Sequence, residues 1–326
     1  MKNLNPSESY LLQKEIISGK LTKYEIIEIF RSMENICLNI NNFKDIVRAT
    51  REAMIEIDLG IEAIDNCGTG GDKLSTFNIS TVSAFVISAA GIPVAKHGNR
   101  SASGKCGSAD VLEELGVKIA MNSTDVIESI NETNFAFLFA PIFHPALINV
   151  KEARKEYGKP TYFNYLGPLL NPAKVKYQVV GVFDETIQKF MADTLIQTGS
   201  KAVAIIRGEN GMDELSISGP SMVIEATPKN KEEYLVIPEK LNLKSYNLSE
   251  IQGGNRKQNA EIFMNILQNK ATPAQFAVVI LNAAMAIKIY GKAGDLSEGI
   301  QIAEETILSG KAFKSFERFR KYTNKF

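Results

Sequence analysis

Tryptophan is absent from this 326-residue chain, and histidine occurs only twice, as His97 and His144. Net charge is missing too: 37 Lys plus Arg balance 37 Asp plus Glu. That balance argues against a general nucleic-acid binder and leaves room only for local basic patches. The three cysteines, Cys37, Cys67 and Cys106, are odd in number and lack CxxC spacing. Reduced thiols in a cytoplasmic protein are the simplest reading, and Cys67, Cys106 and His97 fit no zinc-ligand pattern. The stretch MKNLNPSESYLLQKEIISGK has no signal-peptide core, and no apolar run is long enough to span a bilayer. There is no internal repeat and no low-complexity tract. What is present is 44% hydrophobic and 23% charged, an ordinary globular composition for one large or two smaller domains.

The first sixty residues read as helices: PSESYLLQKEIISGK, TKYEIIEIFRSME and FKDIVRATREAMIEI carry apolar residues at helical spacing. From Ile61 the texture changes. Short apolar runs (EAID, GIPVAKHG, FAFLFAP, YQVVGVF, KAVAIIRG) end in glycine-rich loops and alternate with helices near 78–90, 109–115 and 186–198. Such alternation predicts an α/β fold with a mostly parallel central sheet. GPSMVIEATPKNKEEYLVIPEKLNL reads as strands around a polar turn. KQNAEIFMNILQNK, PAQFAVVILNAAMAIKIYG and DLSEGIQIAEETILSG return to helix.

Four stretches carry chemistry. In DNCGTGGDKLSTFNIST, Gly68, Thr69, Gly70, Gly71 and Asp72 fall just past a strand, where open α/β sheets bind ligands. Asn78, Ser80 and Thr81 then open a helix whose free N–H groups favour an anion. The spacing is neither that of a Walker loop nor GxGxxG, and a capped tight turn accounts for it equally well. AKHGNRSASGKCGSADVLEELG repeats the strand–loop–helix plan with Lys96, His97, Asn99, Arg100, Lys105 and, at the helix start, Ser108. Two such units in succession could share a diphosphate. In RGENGMDELS the adjacent Asp213 and Glu214 do not face one another as an acid–base pair would. They are either acids favoured at a helix start or ligands for Mg²⁺. In FAPIFHPALINVKEARKEYGKPTYFNYLGPLLNPA, Arg154 is either the partner of Glu152 or Glu156 or a clamp for a substrate carboxylate.

Together GTGGD, TFNIST, KHGNR, GSADVLEELG, FNYLGPLLNPA and MDELS, with FAP..HPA and LNAA, resemble the anthranilate phosphoribosyltransferase family in order and approximate spacing. The resemblance covers essentially the whole chain. It implies transfer of phosphoribosyl from phosphoribosyl diphosphate to the amine of anthranilate, the second step of tryptophan biosynthesis, with Mg²⁺ as cofactor. It also implies a helical domain of residues 1–62, completed by a segment near 153–175, beside an α/β domain of residues 63–326. Cytoplasmic homodimers without nucleic-acid or membrane partners are expected. By that resemblance Gly68 to Asp72, Thr76, Asn78, Ser80, Thr81, Lys96 and Ser108 bind phosphoribosyl diphosphate. Gly68, His97, Asn99 and Arg154 face anthranilate, Lys96, Asn99 and Arg154 carry catalysis, and Ser80, Asp213 and Glu214 hold the metal. Cys106 and Gln258 depart from the family pattern, which has serine and glutamate there. A pyrimidine nucleoside phosphorylase, or a non-catalytic nucleic-acid-binding relative, are the alternatives.

Overall fold

The computed structural model describes residues 6–33, 40–101 and 106–325; Cys37 and Lys105 lie outside the described residues. Three helices come first: α1 (Pro6–Ile17), α2 (Lys23–Met33) and α3 (Ile40–Arg51). The helix expected to run through AMIEI stops at Arg51. The chain beyond it finds distant partners instead: Ile55 N–H donates to the Phe143 carbonyl at 2.8 Å and Ile57 N–H to that of Pro172 at 3.0 Å.

The α/β part follows as expected. Strands β1 (Ile64–Gly68), β2 (Val94–Gly98), β3 (Phe135–Phe139), β4 (Tyr177–Gly181) and β5 (Ala202–Arg207) are parallel. The last two strands, β6 (Ser221–Ala226) and β7 (Lys231–Val236), pair antiparallel, in the order β3-β2-β1-β4-β5-β6-β7. All five residues of β3 are buried, as they must be in a parallel sheet covered on both faces. The helices between and after the strands are α4 (Ile79–Ala89), α5 (Ser108–Glu114), α6 (Ser123–Thr133), α7 (Ala140–Phe143), α8 (Ile148–Tyr157), α9 (Phe163–Leu166), α10 (Glu185–Gln197), α11 (Arg256–Leu267), α12 (Pro273–Ile289), α13 (Leu296–Leu308) and α14 (Lys311–Thr323).

Two apolar cores result. One joins the sheet to α4, α12 and α14, where Phe85 stacks on Phe135 at 4.2 Å and meets Phe316 edge-on. The other joins Ile16, Ile26, Phe30 and Val47 of the first helices to Val150, Phe163 and Leu169, and reaches Val180, Val203 and Ile205 of the sheet. Polar caps set the helix starts. Gln258 completes a capping box with Asn255, accepting its N–H at 2.9 Å while Asn255 Oδ1 accepts that of Gln258 at 3.0 Å. A glutamine oxygen does this as well as a carboxylate does, so the Gln258 departure leaves the helix start intact.

Candidate active site

The strand order reverses between β1 and β4: the chain steps outward from β1 through β2 to β3, then returns to β4 on the other side. Such a switch point leaves a crevice beyond the carboxyl ends of the strands. Into it comes the turn after β5. Gly208 N–H donates to the Met212 carbonyl at 2.8 Å, and the next residues, Asp213 and Glu214, lie across the ends of β1 and β4. Glycines make the room. A Cβ on Gly181 would sit 1.6 Å from the Asp213 carbonyl oxygen, and one on Gly68 2.2 Å from Asp213 Oδ2. Gly68, read in the sequence as a ligand contact, thus also accommodates a carboxylate.

The loop after β1 has unusual backbone. Gly70 and Gly71 have φ of 67° and 90°, and Lys73 and Ser75, with side chains, also lie in the left-handed region at 60° and 57°. Residues with side chains rarely hold that conformation unless their surroundings enforce it. Gly70 N–H donates to Asp213 Oδ2 at 2.8 Å, and Ser80 N–H, at the start of α4, donates to Glu214 Oε1 at 3.1 Å. Each carboxylate therefore draws on an element that the sequence offers either as an anion site or as a capped turn. Burial and the neighbouring Asp72 push Asp213 up to about 7. Burial and the charge of Asp213 push Glu214 well above the carboxylate range, against the pull of Lys96.

Lys96 does not open onto the cleft. It is 1% exposed, its Nζ donates to the Asn66 carbonyl at 2.5 Å, and its charge acts from below on Asp65 and Glu214. Asn66 in turn donates to the Ser80 carbonyl at 2.8 Å. Asn78 Nδ2 donates to the Cys106 carbonyl at 3.1 Å and so ties the first strand–loop–helix unit to the second; Cys106 enters through its backbone. In that second unit the Asn99 carbonyl accepts from Ala109 N–H at 3.2 Å and from Ser108 Oγ at 3.3 Å. Arg100 pairs with Glu113 at 2.6 Å, a surface contact. Thr76 lies in an isolated antiparallel bridge with Gln252.

Beside the end of β2 the two histidines meet. His97 Nδ1 lies 3.1 Å from the Gly167 carbonyl, and His97 Nε2 lies 3.1 Å from His144 Nε2. Assigned from these contacts, Nδ1 of His97 carries the proton, so Nε2 of His144 must donate across the pair. Both rings are neutral. Burial and the adjacent His144 push His97 down to about 3, and burial pushes His144 down to about 4. The unfolded chain titrates near 6.5, so folding holds both rings neutral above that pH and loses stability as pH falls toward 4. At pH 5 the loss is about 2 kcal/mol per histidine. Asp65 and Asp213, whose folded forms favour the proton, change stability in the opposite direction. Urea denaturation of wild type and His144→Asn at both pH values separates the two effects. The stability gap between them should narrow by about 2 kcal/mol from pH 7 to pH 5; a constant gap would mean that folding leaves the pKa of His144 unshifted, and a widening one that the folded protein favours the charged ring.

Arg154 of α8 is half-buried with its guanidinium 5.4 Å from the Phe163 ring, and among the described residues it pairs with no carboxylate. Glu156, its expected surface partner, pairs with Lys23 instead. Burial lowers the pKa of Arg154. Phe163 opens the turn that ends at Gly167, so one short segment links Arg154 to the histidine pair. Around the cleft, Asn66 Oδ1, Asp72 Oδ2, Asn78 Oδ1, Thr81 Oγ1 and His144 Nδ1 are buried without a hydrogen-bond partner. Unpaired buried polar atoms are scarce in folded proteins; apart from the Thr81 hydroxyl these five are acceptors, which hydroxyl donors or a cation would satisfy, and six more lie elsewhere among the described residues. The sequence reading missed Gly181, Asn66 and Asp65. The glycine closing YQVVG was the available signal for the first.

The class of protein follows from relatives that share this sheet and its switch-point crevice. The glycosyl transferase family a/b domain matches residues 60–313. The anthranilate phosphoribosyltransferase of Persephonella marina is 39% identical over 324 residues, 99% of this chain and 96% of that protein. That of Methanobrevibacter smithii is 40% identical over 322 residues, with the same shares. The crystal structure of the Thermus thermophilus enzyme superposes with a TM-score of 0.92 at 34% identity, covering 99% of this chain and 97% of the other. The Saccharomyces cerevisiae enzyme in complex with PRPP and Mg gives 0.91 at 26% identity, covering 99% and 94%. The chain belongs to the anthranilate phosphoribosyltransferase family and is a pentosyltransferase of tryptophan biosynthesis.

Proposed function

We propose that the crevice binds phosphoribosyl diphosphate on the loop after β1 and the start of α4, and anthranilate between the histidine pair and Arg154. The observation that carries this reading is the placement of two desolvated carboxylates at the switch point. Gly68 to Asp72, Asn78, Ser80 and Thr81 supply N–H, hydroxyl and amide groups for the diphosphate and ribose phosphate. Thr76 and Ser108 flank them, and Lys96 contributes positive charge from below.

Mg²⁺ suits the carboxylate turn. Among the described residues no three His, Cys, Asp or Glu side chains cluster as a metal cage. Asp213 and Glu214, beside Ser80, supply two hard oxygen ligands and leave the rest to phosphate oxygens and water, as Mg²⁺ prefers. When bound, the ion neutralises charge on the departing diphosphate.

In the reaction the bond between the anomeric carbon and the diphosphate oxygen breaks, and the bond from the anthranilate nitrogen forms. The nitrogen then releases a proton to water. The transition state has oxocarbenium character, as in glycoside cleavage. An arylamine keeps its lone pair at neutral pH, so this chain's task is to hold the two substrates in line. Arg154 fixes the anthranilate carboxylate, and Asn99 and the neutral His97 bound its ring. The helix start and backbone N–H groups favour the growing negative charge on diphosphate.

The proposed division is a helical domain of residues 1–62, completed near 153–175, beside an α/β domain of residues 63–326; the second apolar core joins the first helices to Val150, Phe163 and Leu169 and also runs onto the sheet at Val180, Val203 and Ile205. Leu11, Tyr24 and Ile148 are 63%, 68% and 65% exposed on the helical part, which supports a homodimer formed through it. No helix among the described residues is long and apolar enough to cross a membrane, and the cytoplasm is the proposed location. The direct test is anthranilate fluorescence in the presence of protein, phosphoribosyl diphosphate and Mg²⁺. Decay that requires all three supports the reading; a steady signal with folded protein overturns it.

A further inference from the structure

Between Phe276 and Ile287, helix α12 is apolar except for one amide, Asn282, which is 4% exposed. Its Oδ1 accepts the Leu215 N–H at 2.9 Å, and its Nδ2 donates to the Leu215 carbonyl at 3.0 Å and to the Val278 carbonyl of its own helix at 2.9 Å. One side chain thus satisfies both backbone groups of Leu215, as a neighbouring strand would. Leu215 directly follows Glu214, in a turn that belongs to no strand. On its far side the turn is held by Ser216 N–H donating to Ser221 Oγ at 2.8 Å. Asn282 also lines, with Asn66, Cys67, Ser80 and Glu214, a cavity of about 10 Å³, near the lower limit for one water molecule.

We propose that Asn282 is a positioning residue: by fixing the Leu215 peptide it sets the direction in which Asp213 and Glu214 present their carboxylates to the metal and diphosphate. It acts through the backbone and touches neither substrate. The inference rests on the reading of Asp213 and Glu214 as metal ligands. Groups that orient a ligand in this way typically change metal affinity by about 10–100-fold when removed.

The test uses Mn²⁺ as probe, with inorganic diphosphate, read by electron paramagnetic resonance on wild type, Asn282→Leu and Asp213→Asn. Asn282→Leu keeps the volume and removes both bonds to Leu215. It should weaken Mn²⁺ binding about tenfold or more, raise KM for phosphoribosyl diphosphate and leave KM for anthranilate within about twofold. Asn282→Ser, which leaves room for water to bridge to Leu215, should fall between it and wild type; it carries the test if the leucine variant does not fold. Unchanged Mn²⁺ affinity in the Asn282 variants, with activity lowered only in proportion to the folded fraction, overturns the proposal alone. Unchanged affinity in Asp213→Asn as well overturns the metal-ligand reading and the proposal with it.

Discussion

Replacing Arg154 by alanine should raise KM for anthranilate by about two orders of magnitude and leave KM for phosphoribosyl diphosphate within about twofold. The reasoning starts from what the guanidinium lacks. It is half-buried, stacked 5.4 Å from the Phe163 ring, and among the described residues pairs with no carboxylate. An arginine removed from water without an anion is costly to hold, and a substrate carboxylate held by two parallel hydrogen bonds would compensate that cost. Charge-assisted bonds of this kind contribute about 2–3 kcal/mol, hence the size of the effect. Arg154→Lys should recover only part of it, because an ammonium cannot match the planar fork. Initial rates followed by anthranilate fluorescence decide the matter. Equal increases in both KM values would remove Arg154 from the anthranilate pocket.

The alternation of short apolar runs with glycine-closed helices made the parallel sheet legible, because buried parallel strands need near-continuous apolar residues and their crossovers need helices. The loops after β1 and β2 were legible as strand-to-helix passages for a similar reason, while their glycines and hydroxyl residues fit a capped turn as well as an anion site. Other features depend on distance in space. His97 and His144 are 47 residues apart, yet their Nε2 atoms lie 3.1 Å apart; no local pattern joins the end of a strand to the turn before α8. Lys96 sits in a strand buried at its first four positions, and only the fold places its ammonium on the Asn66 carbonyl rather than in the cleft. The split over Asp213 and Glu214, helix-start acids or metal ligands, turned on what lay opposite them. The structure starts no regular helix there and sets Asp213 against the strand-end glycines Gly68 and Gly181. Asn282 illustrates the remaining case. A single amide in an apolar helix is visible in the sequence, but that it holds the peptide after the two acids is a matter of tertiary contact.

Exchanging both acids for their amides, Asp213→Asn with Glu214→Gln, should change activity and stability in opposite directions. Activity with phosphoribosyl diphosphate should fall by about three orders of magnitude, since the developing charge on diphosphate loses its metal-binding floor. The metal-free protein, in contrast, should become more stable by about 1–3 kcal/mol, a rise of a few degrees in Tm. Both carboxyls are raised in pKa, Asp213 by burial and the neighbouring Asp72, Glu214 by burial and the charge of Asp213. At neutral pH folding must either bind protons on these carboxyls or bury their charge, and both oppose folding, whereas amides of the same shape do neither. The bonds from Gly70 N–H and Ser80 N–H can persist, because each amide keeps an accepting oxygen. Addition of Mg²⁺ with inorganic diphosphate should then reverse the order, stabilising wild type and leaving the double variant unchanged. Thermal melts with and without the ion, read by circular dichroism because the chain lacks tryptophan, test both halves. A double variant less stable than wild type without metal would show that the turn needs its charges for folding. The same variant stabilised by Mg²⁺ and diphosphate would place the metal elsewhere. The expected pattern is that of a site whose charges are kept for the ligand at the expense of the empty protein.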